Sequence, residues 1–123
     1  MKRLILEMGS GADLYGMDYT KAAIRALNNA IRHSSITLFS SLGIGHTEMD
    51  VKITIGVQEP DKVNLDELRA QVPRGHPNVI ATFGGQNIDS RSNGDFSVIA
   101  TCAIEAYVPD LGEHYTIVRA PKE

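Results

Sequence analysis

Three side chains in the first half of the chain combine a positive charge with groups that can transfer protons. Lys21 lies near the start of a predicted helix, and His46 and Glu48 come at the start of a predicted strand. A lysine can polarise a carbonyl group, and a histidine beside carboxylates has its charged form favoured and its pKa raised. A cation that polarises a carbonyl group and groups that transfer protons are together sufficient in principle for amide hydrolysis or tautomerisation. We therefore predict Lys21, His46 and Glu48 as catalytic residues.

The strand that follows His46 also carries Asp50 and Lys52 in the same alternating pattern, so all four side chains would project from one face. A histidine and two carboxylates could bind a metal ion, but ligands at this local spacing need a further ligand from elsewhere in the fold. The other interpretation is a strand face exposed to solvent. We predict no metal and no cofactor.

A glycine-rich stretch from Gly9 to Gly16 separates an apolar run from a helical run that begins at Asp18. Glycines allow the backbone to adopt positive φ angles and to approach a ligand closely, so this stretch is predicted to be a flexible loop that helps bind a small polar molecule. The predicted ligand-binding residues are Gly9, Gly11, Asp13, Gly16, Arg25 and His76.

Lys21 and Arg25 are one helical turn apart and could together hold a carboxylate, an amide carbonyl or an oxyanion. The alternative for this pair is an exposed helix face. His76 falls in a stretch from Arg74 to Pro77 that is predicted to be a loop. We further predict that Lys21 and Glu48, supported by Arg25 and His46, line one pocket shared across a subunit boundary.

Several classes of function are disfavoured. Leu14 stands where a dinucleotide-binding fingerprint requires its third glycine, and the chain has neither a phosphate-binding Gly-Lys-Ser/Thr sequence nor a Gly-x-Ser-x-Gly nucleophile elbow. A formal net charge of −3 with scattered basic residues argues against binding to nucleic acid or to an anionic membrane.

The length of 123 residues, with 42% hydrophobic and 22% charged, predicts a single domain over residues 1–123. The apolar run near the start is too short for a signal peptide, which favours a cytoplasmic location. Cys102, the single cysteine, lies in an apolar run and is predicted to be a core residue.

Hydrophobic periodicity predicts an α+β fold with the order β-α-β-α-β-β, in which two helices cover one face of a four-stranded mixed sheet. In the first strand Leu4, Leu6 and Met8 are expected to face the core. A short extra strand is possible at Tyr115 to Val118. The predicted elements are a strand from Arg3 to Met8, a helix from Asp18 to Arg32, a strand from Met49 to Val57, a helix from Leu65 to Val72 and strands from Val79 to Phe83 and from Phe96 to Val108.

The face of this sheet that the helices leave uncovered is too apolar to be simply exposed to water. We therefore predict a homo-oligomer in which sheets pack together, with cyclic symmetry as the simplest closure. The sheet argument leaves a dimer and a trimer open. The residues expected on this second face are Ile5, Ile80, Ile99, Ala103 and Tyr107.

The segment Glu7-Met-Gly-Ser-Gly-Ala-Asp-Leu-Tyr-Gly-Met-Asp-Tyr-Thr-Lys-Ala-Ala23, followed downstream by Ile55-Gly-Val57 and Gly84-Gly85, resembles a family of short bacterial proteins known as Lin-type conserved hypotheticals. The resemblance covers most of the chain. Family members usually have His-Gly-Gln-Asp where this chain has Tyr-Gly-Met-Asp at residues 15–18. The family has no characterised activity, so this resemblance implies no particular reaction.

A more distant similarity, at the level of the fold, is to the ring-opening amidohydrolases of the cyanuric acid hydrolase and barbiturase type. Their chains join three strand-helix units, each with a lysine and a serine, which implies a trimer of the present chain in preference to a dimer. Lys21 could match the lysine. No Ser-Gly-Gly sequence is present to match the serine, and Gly45 to Glu48 only partly resembles that motif. This similarity implies a hydrolase or isomerase acting on an amide-type substrate. A non-catalytic structural or regulatory assembly protein is the alternative.

Overall fold

The computed structural model describes residues 2–32, 50–72, 76–89 and 94–108, which form a five-stranded mixed sheet and two α-helices. The α+β class and the two helices are as predicted. A single 3₁₀ turn, Pro60–Lys62, precedes the second helix. The elements are β1 (Lys2–Asp13), α1 (Tyr19–Arg32), β2 (Asp50–Val57), α2 (Leu65–Arg69), β3 (His76–Phe83), β4 (Gln86–Asp89) and β5 (Phe96–Val108).

The longest strand, β5, organises the sheet, whose main order is β1-β5-β2-β3. It pairs antiparallel with β1 along one edge and antiparallel with β2 along the other. Only β2 and β3 are parallel, and the chain between them includes α2, which packs on β3. Such a crossover helix is the usual way to join parallel strands.

The prediction of four strands is wrong, because the polar stretch from Gln86 to Asp89 forms a fifth strand. This β4 pairs antiparallel with the first residues of β5, from Phe96 to Ile99, in the part of β5 that precedes its pairing with β2. The Gly84-Gly85 turn brings the chain back from β3. This strand could not be predicted from hydrophobic periodicity, because the side chains of β4 are mostly exposed and show no hydrophobic alternation.

The core lies between the sheet and the two helices. The predicted alternation in β2 and β5 is confirmed, since Ile53 and Ile104 are fully buried beneath the helices and Cys102 is a buried core residue as expected. Small side chains let α1 lie close to the sheet. Its buried residues are Tyr19, Ala22, Ala23, Ala26, Leu27 and Ala30.

The first strand differs from the prediction in length and in orientation. β1 continues through Asp13, so the first part of the expected flexible loop is regular strand. The side chains of Leu6 and Met8 are 49% and 62% exposed, and the prediction that they face the core is wrong. The residues of β1 that face α1 include Gly9 and Gly11, so the apolar alternation marks the opposite face of the strand.

The uncovered face of the sheet carries several apolar side chains. Met8 pairs with Ala103, and Ala103 pairs on its other side with Thr54. Ile80, Ile99, Ala103 and Tyr107 lie on this face as predicted, and Ile80 is among the exposed large hydrophobic residues. The side chains of Leu4 and Ile5 are outside the described part of the chain.

Candidate functional site

β1 and α1 are in close contact at Gly9 and Gly11. A Cβ atom added to Gly9 would lie 2.5 Å from the backbone nitrogen of Ala30, and one added to Gly11 would lie 2.6 Å from the carbonyl carbon of Arg25 and closer still to the nitrogen of Ala26. The two glycines are therefore required for contact between strand and helix. Their predicted ligand-binding role has no support in this geometry.

Asp13 ends β1 and holds the connection to α1. Its buried carboxylate accepts a hydrogen bond of 2.9 Å from the backbone N–H of Asp18 and lies 3.7 Å from the guanidinium of Arg25. Gly16 in the same connection packs against this carboxylate, since an added Cβ would lie 2.6 Å from Oδ2. Asp13 thus has partners within the fold and stabilises the start of α1.

Asp18 caps α1, because its Oδ1 accepts a hydrogen bond of 3.0 Å from the backbone N–H of Lys21. The cap places Lys21 in the first turn of the helix, with its side chain exposed. Arg25 follows one turn later, and its Nη1 donates a 2.6 Å hydrogen bond to the carbonyl oxygen of Ala12. Lys21 and Arg25 therefore lie side by side on one flank of the helix.

This flank of α1 forms one wall of a groove of about 500 Å³, and the first turn of α2 forms the other wall. Thr20 joins the two walls, because its hydroxyl accepts a 2.9 Å hydrogen bond from the backbone N–H of Asn64. Cavities of this size are typical of sites for small molecules. The groove is lined by Asp18, Thr20, Lys21, Ile24, Arg25, Asn64 and Glu67.

Opposite charges face each other across this groove. Asn64 caps α2 and donates a 3.2 Å hydrogen bond from its side-chain amide to Oε1 of Glu67, which fixes the position of this carboxylate. Within the described residues, neither Lys21 nor Glu67 forms an ion pair. A polar ligand could therefore interact with both charges without first breaking an ion pair between protein groups.

Sequence reasoning found Lys21 and Arg25 but missed the facing wall. Thr20, Asn64 and Glu67 were not predicted as site residues. The Asn-x-x-Glu pattern at residues 64–67 is the available signal, because a capping residue and the acidic residue three positions later commonly bond to each other.

The remaining predicted site residues cannot be placed beside this groove. His46 and Glu48 lie outside the described residues, and the backbone of His76 begins β3 while its side chain is not described. His76 is therefore at the start of a strand and not in a loop as predicted. The pocket predicted to join Lys21 and Glu48 across a subunit boundary stays a prediction.

A second polar cluster lies on the uncovered face of the sheet. Glu105 accepts hydrogen bonds from the hydroxyl of Tyr107 at 3.0 Å and from Arg3 at 3.2 Å, and both interactions hold the pKa of its carboxyl below the usual value. The same bond raises the pKa of the Tyr107 hydroxyl. Asp50, Lys52 and Tyr107 line a neighbouring groove of about 430 Å³. Because Glu105 already forms an ion pair with Arg3, this cluster has less unpaired charge for a ligand than the groove between α1 and α2 has.

Neither a metal site nor a membrane span is evident in the part of the chain that the structure describes. Over residues 2–32, 50–72, 76–89 and 94–108, no group of three or more potential metal ligands comes together. Among the same residues, no helix has both the length and the apolar character needed to cross a membrane.

Comparison with known proteins identifies a family. Residues 3–106 match the model of the conserved hypothetical protein family Lin0512_fam, so the chain belongs to this family, as its resemblance implied. It is also similar to a crystal structure of an FtsZ-like protein of unknown function from Nostoc punctiforme, with 32% identity and a TM-score of 0.78. That match covers 89% of this chain and 97% of the other. No curated protein matches the chain. The similarity to ring-opening amidohydrolases stays a prediction.

Proposed function

We propose that the protein is a homo-oligomer that binds a small polar molecule in the groove between α1 and α2. The observation that carries this proposal is the pair of charges, Lys21 and Glu67, that line the groove without an ion-pair partner among the described residues. Because neither charge is held in an ion pair with a described residue, a ligand that pairs with them breaks no such interaction on binding.

The groove also has the groups that a hydrolase or isomerase of amide-type substrates would need. Lys21 can polarise a carbonyl oxygen, with Arg25 one turn away as a second cation. Glu67 is a carboxylate on the opposite wall and can accept or return a proton. In this proposal Glu67 takes the proton-transfer role that the sequence assigned to His46 and Glu48, which lie outside the described residues.

Self-association is the second part of the proposal, with another copy of the chain as the partner of the uncovered sheet face. Exposed apolar side chains on this face, including Met8 and Ile80, favour burial against a second apolar surface. The same face carries groups of both charges, Arg3, Lys52 and Glu105, which two copies could pair with one another. The helices lie on the other side of the sheet, so among the described residues the groove is not part of this face.

Binding is tested by a thermal-shift screen of small carboxylates, amines, amides, phosphates and sugars. A ligand of the folded state raises the melting temperature by mass action. The wild type is compared with the double variant Lys21→Ala/Glu67→Ala. We expect some compounds to stabilise the wild type and to lose most of this effect in the variant. Equal stabilisation of both proteins by every active compound would contradict a site in the groove.

Self-association is tested by sedimentation at micromolar concentration. We expect a species larger than the 13.4 kDa chain, and a single species of that mass would overturn this part of the proposal. Ile99→Asp should dissociate the assembly, because an unpaired carboxylate is costly to bury. Gln71→Asp is the matched control, since residue 71 is exposed beyond α2 and away from the uncovered face.

A non-catalytic assembly or regulatory protein is the second candidate function. It is favoured by the β1–α1 junction, where Gly9 and Gly11 contact α1 and the carboxylate of Asp13 has its partners within the fold. If sedimentation gives an oligomer while no compound stabilises the wild type through the groove, this second function is the better account.

A further inference from the structure

We infer that the ligand of the groove is a small zwitterion whose anionic group faces Lys21 and Arg25 and whose ammonium group faces Glu67. This inference rests on the proposed function, since it specifies the chemical class that the same groove binds. It goes beyond that function because a groove for polar molecules in general would not require both charges on one ligand.

The α1 wall has two cations, Lys21 and Arg25, and one carboxylate, that of Asp18, whose Oδ1 is used to cap the helix. Lys21 provides an ammonium group with no ion-pair partner among the described residues, and such a group can follow a ligand anion on its flexible stem. Arg25 is held more firmly, because it bonds to the carbonyl oxygen of Ala12 and lies near the carboxylate of Asp13. One mobile cation and one fixed cation therefore lie a helical turn apart on the same wall.

The α2 wall is suited to a cation. Glu67 accepts one hydrogen bond at Oε1 from the side chain of Asn64, and no described residue bonds to its other carboxylate oxygen. Asn64 itself is fixed, because its Oδ1 accepts hydrogen bonds from the backbone N–H groups of Asp66 and Glu67. The position of the Glu67 carboxylate is thus set before any ligand binds, which reduces the entropy lost on binding.

An apolar surface lies among these charges. Ile24 lines the groove between Lys21 and Arg25 in sequence and is only partly buried. Methylene groups packed on Ile24 would remove apolar surface from water while the two charged ends stay paired with the walls. The preferred ligand therefore carries its two charges at the ends of a short aliphatic chain.

The test is a series of ω-amino carboxylates with increasing numbers of methylene groups, from glycine to 6-aminohexanoate, titrated into the 123-residue chain. Binding is followed by NMR through the backbone amides of Thr20, Lys21 and Asn64. Hexanoate and hexylamine, which each keep one charge and a similar chain, are the matched controls. We expect an optimum length within the series and about fivefold weaker binding of each control, because exposed ion pairs are individually weak.

Two conservative variants assign the charged ends. Glu67→Gln should bring the affinity for the best ω-amino carboxylate down to that for hexanoate while hexanoate binding is unchanged. Lys21→Gln should weaken the binding of hexanoate and of the zwitterion by similar factors and should leave hexylamine unaffected. The reverse pattern would overturn the assigned orientation.

The outcomes also separate this inference from the proposed function. If hexanoate or hexylamine binds as well as the best zwitterion, the inference is wrong and the groove remains a site for small polar molecules. If the whole series leaves these amides unchanged while compounds from the thermal-shift screen shift them, the inference alone is again wrong. If neither set shifts them, both the inference and the proposed function are wrong.

Discussion

The two flanks of α1 have opposite characters, and Arg25 lies between them, since it contacts the end of β1 and also lines the groove. On one flank, helix and strand are in direct contact through Gly9 and Gly11, and the buried carboxylate of Asp13 has its partners within the fold. On the other flank, Lys21 faces an open groove and has no ion pair with a described residue. Glycines and charges that are close in sequence therefore serve different purposes, since the first flank stabilises the helix and the second leaves its charges available.

The largest effect is expected from bulk placed in the packed flank. Gly11→Val should destabilise the fold by about 3 kcal/mol or more, because the new side chain would overlap backbone atoms of α1 that cannot move independently. Chemical denaturation measures the change. Ser10→Val is the matched control, since residue 10 is exposed on the other side of β1, and it should stay within about 0.5 kcal/mol of the wild type. Equal losses would contradict the packing role of Gly11.

A smaller loss is expected when the buried carboxylate is removed. Asp13→Ala leaves the N–H of Asp18 and the side chain of Arg25 without this acceptor and should cost about 1–3 kcal/mol of unfolding free energy. Asp66→Ala removes a carboxylate of the exposed pair with Arg69 and serves as the control, with an expected cost below about 1 kcal/mol. A loss at Asp13 no greater than at Asp66 would show that the carboxylate does not hold the junction.

A still smaller effect depends on pH at the start of α1. Glu59 pairs with Lys62 and accepts a 3.1 Å hydrogen bond from the hydroxyl of Tyr19, and these interactions lower the pKa of its carboxyl below 4.5. A lowered pKa in the folded state stabilises the fold above the ordinary value, and this contribution is lost as the pH falls through the folded-state pKa. Glu59→Gln should therefore lower the melting temperature slightly at pH 7 and not at pH 3. A difference that grows at acid pH would contradict this assignment.

The smallest effect on stability is expected at the groove itself. Lys21→Ala/Glu67→Ala should change the unfolding free energy by less than about 0.5 kcal/mol, because both side chains are exposed and neither has an ion-pair partner among the described residues. Urea denaturation of this variant beside Gly11→Val gives the direct contrast between the two flanks. A loss comparable to that of Gly11→Val would mean that the groove residues stabilise the fold.

Much of the fold could be predicted from sequence because its strongest elements have clear periodicity. The bounds of β5, from Phe96 to Val108, and the buried alternation of β2 follow from this pattern. The pattern fails in β1, where glycines occupy the face against α1 and the larger apolar side chains point away from it. It also fails in β4, where a polar strand depends on hydrogen bonds to β5 that no local pattern reveals.

The candidate site could be predicted only in part. Lys21 and Arg25 follow from helical spacing, which places them on one flank of α1. Asn64 and Glu67 belong to another helix about 40 residues later, and their position beside Lys21 depends on the hydrogen bond between Thr20 and Asn64. Helical spacing cannot indicate such tertiary contacts. Glycine content alone does not distinguish close packing from ligand contact, because both favour residues without a side chain.

The most direct test of the central claim is a crystal structure of the protein with the compound that stabilises it most. Our account predicts ligand density in the groove, with an anionic group near Lys21 and a donor near Glu67, and an unchanged contact between Gly11 and α1. Density against the stretch from Gly9 to Gly16, or in a pocket formed by Lys21 and Glu48 of different subunits, would contradict it.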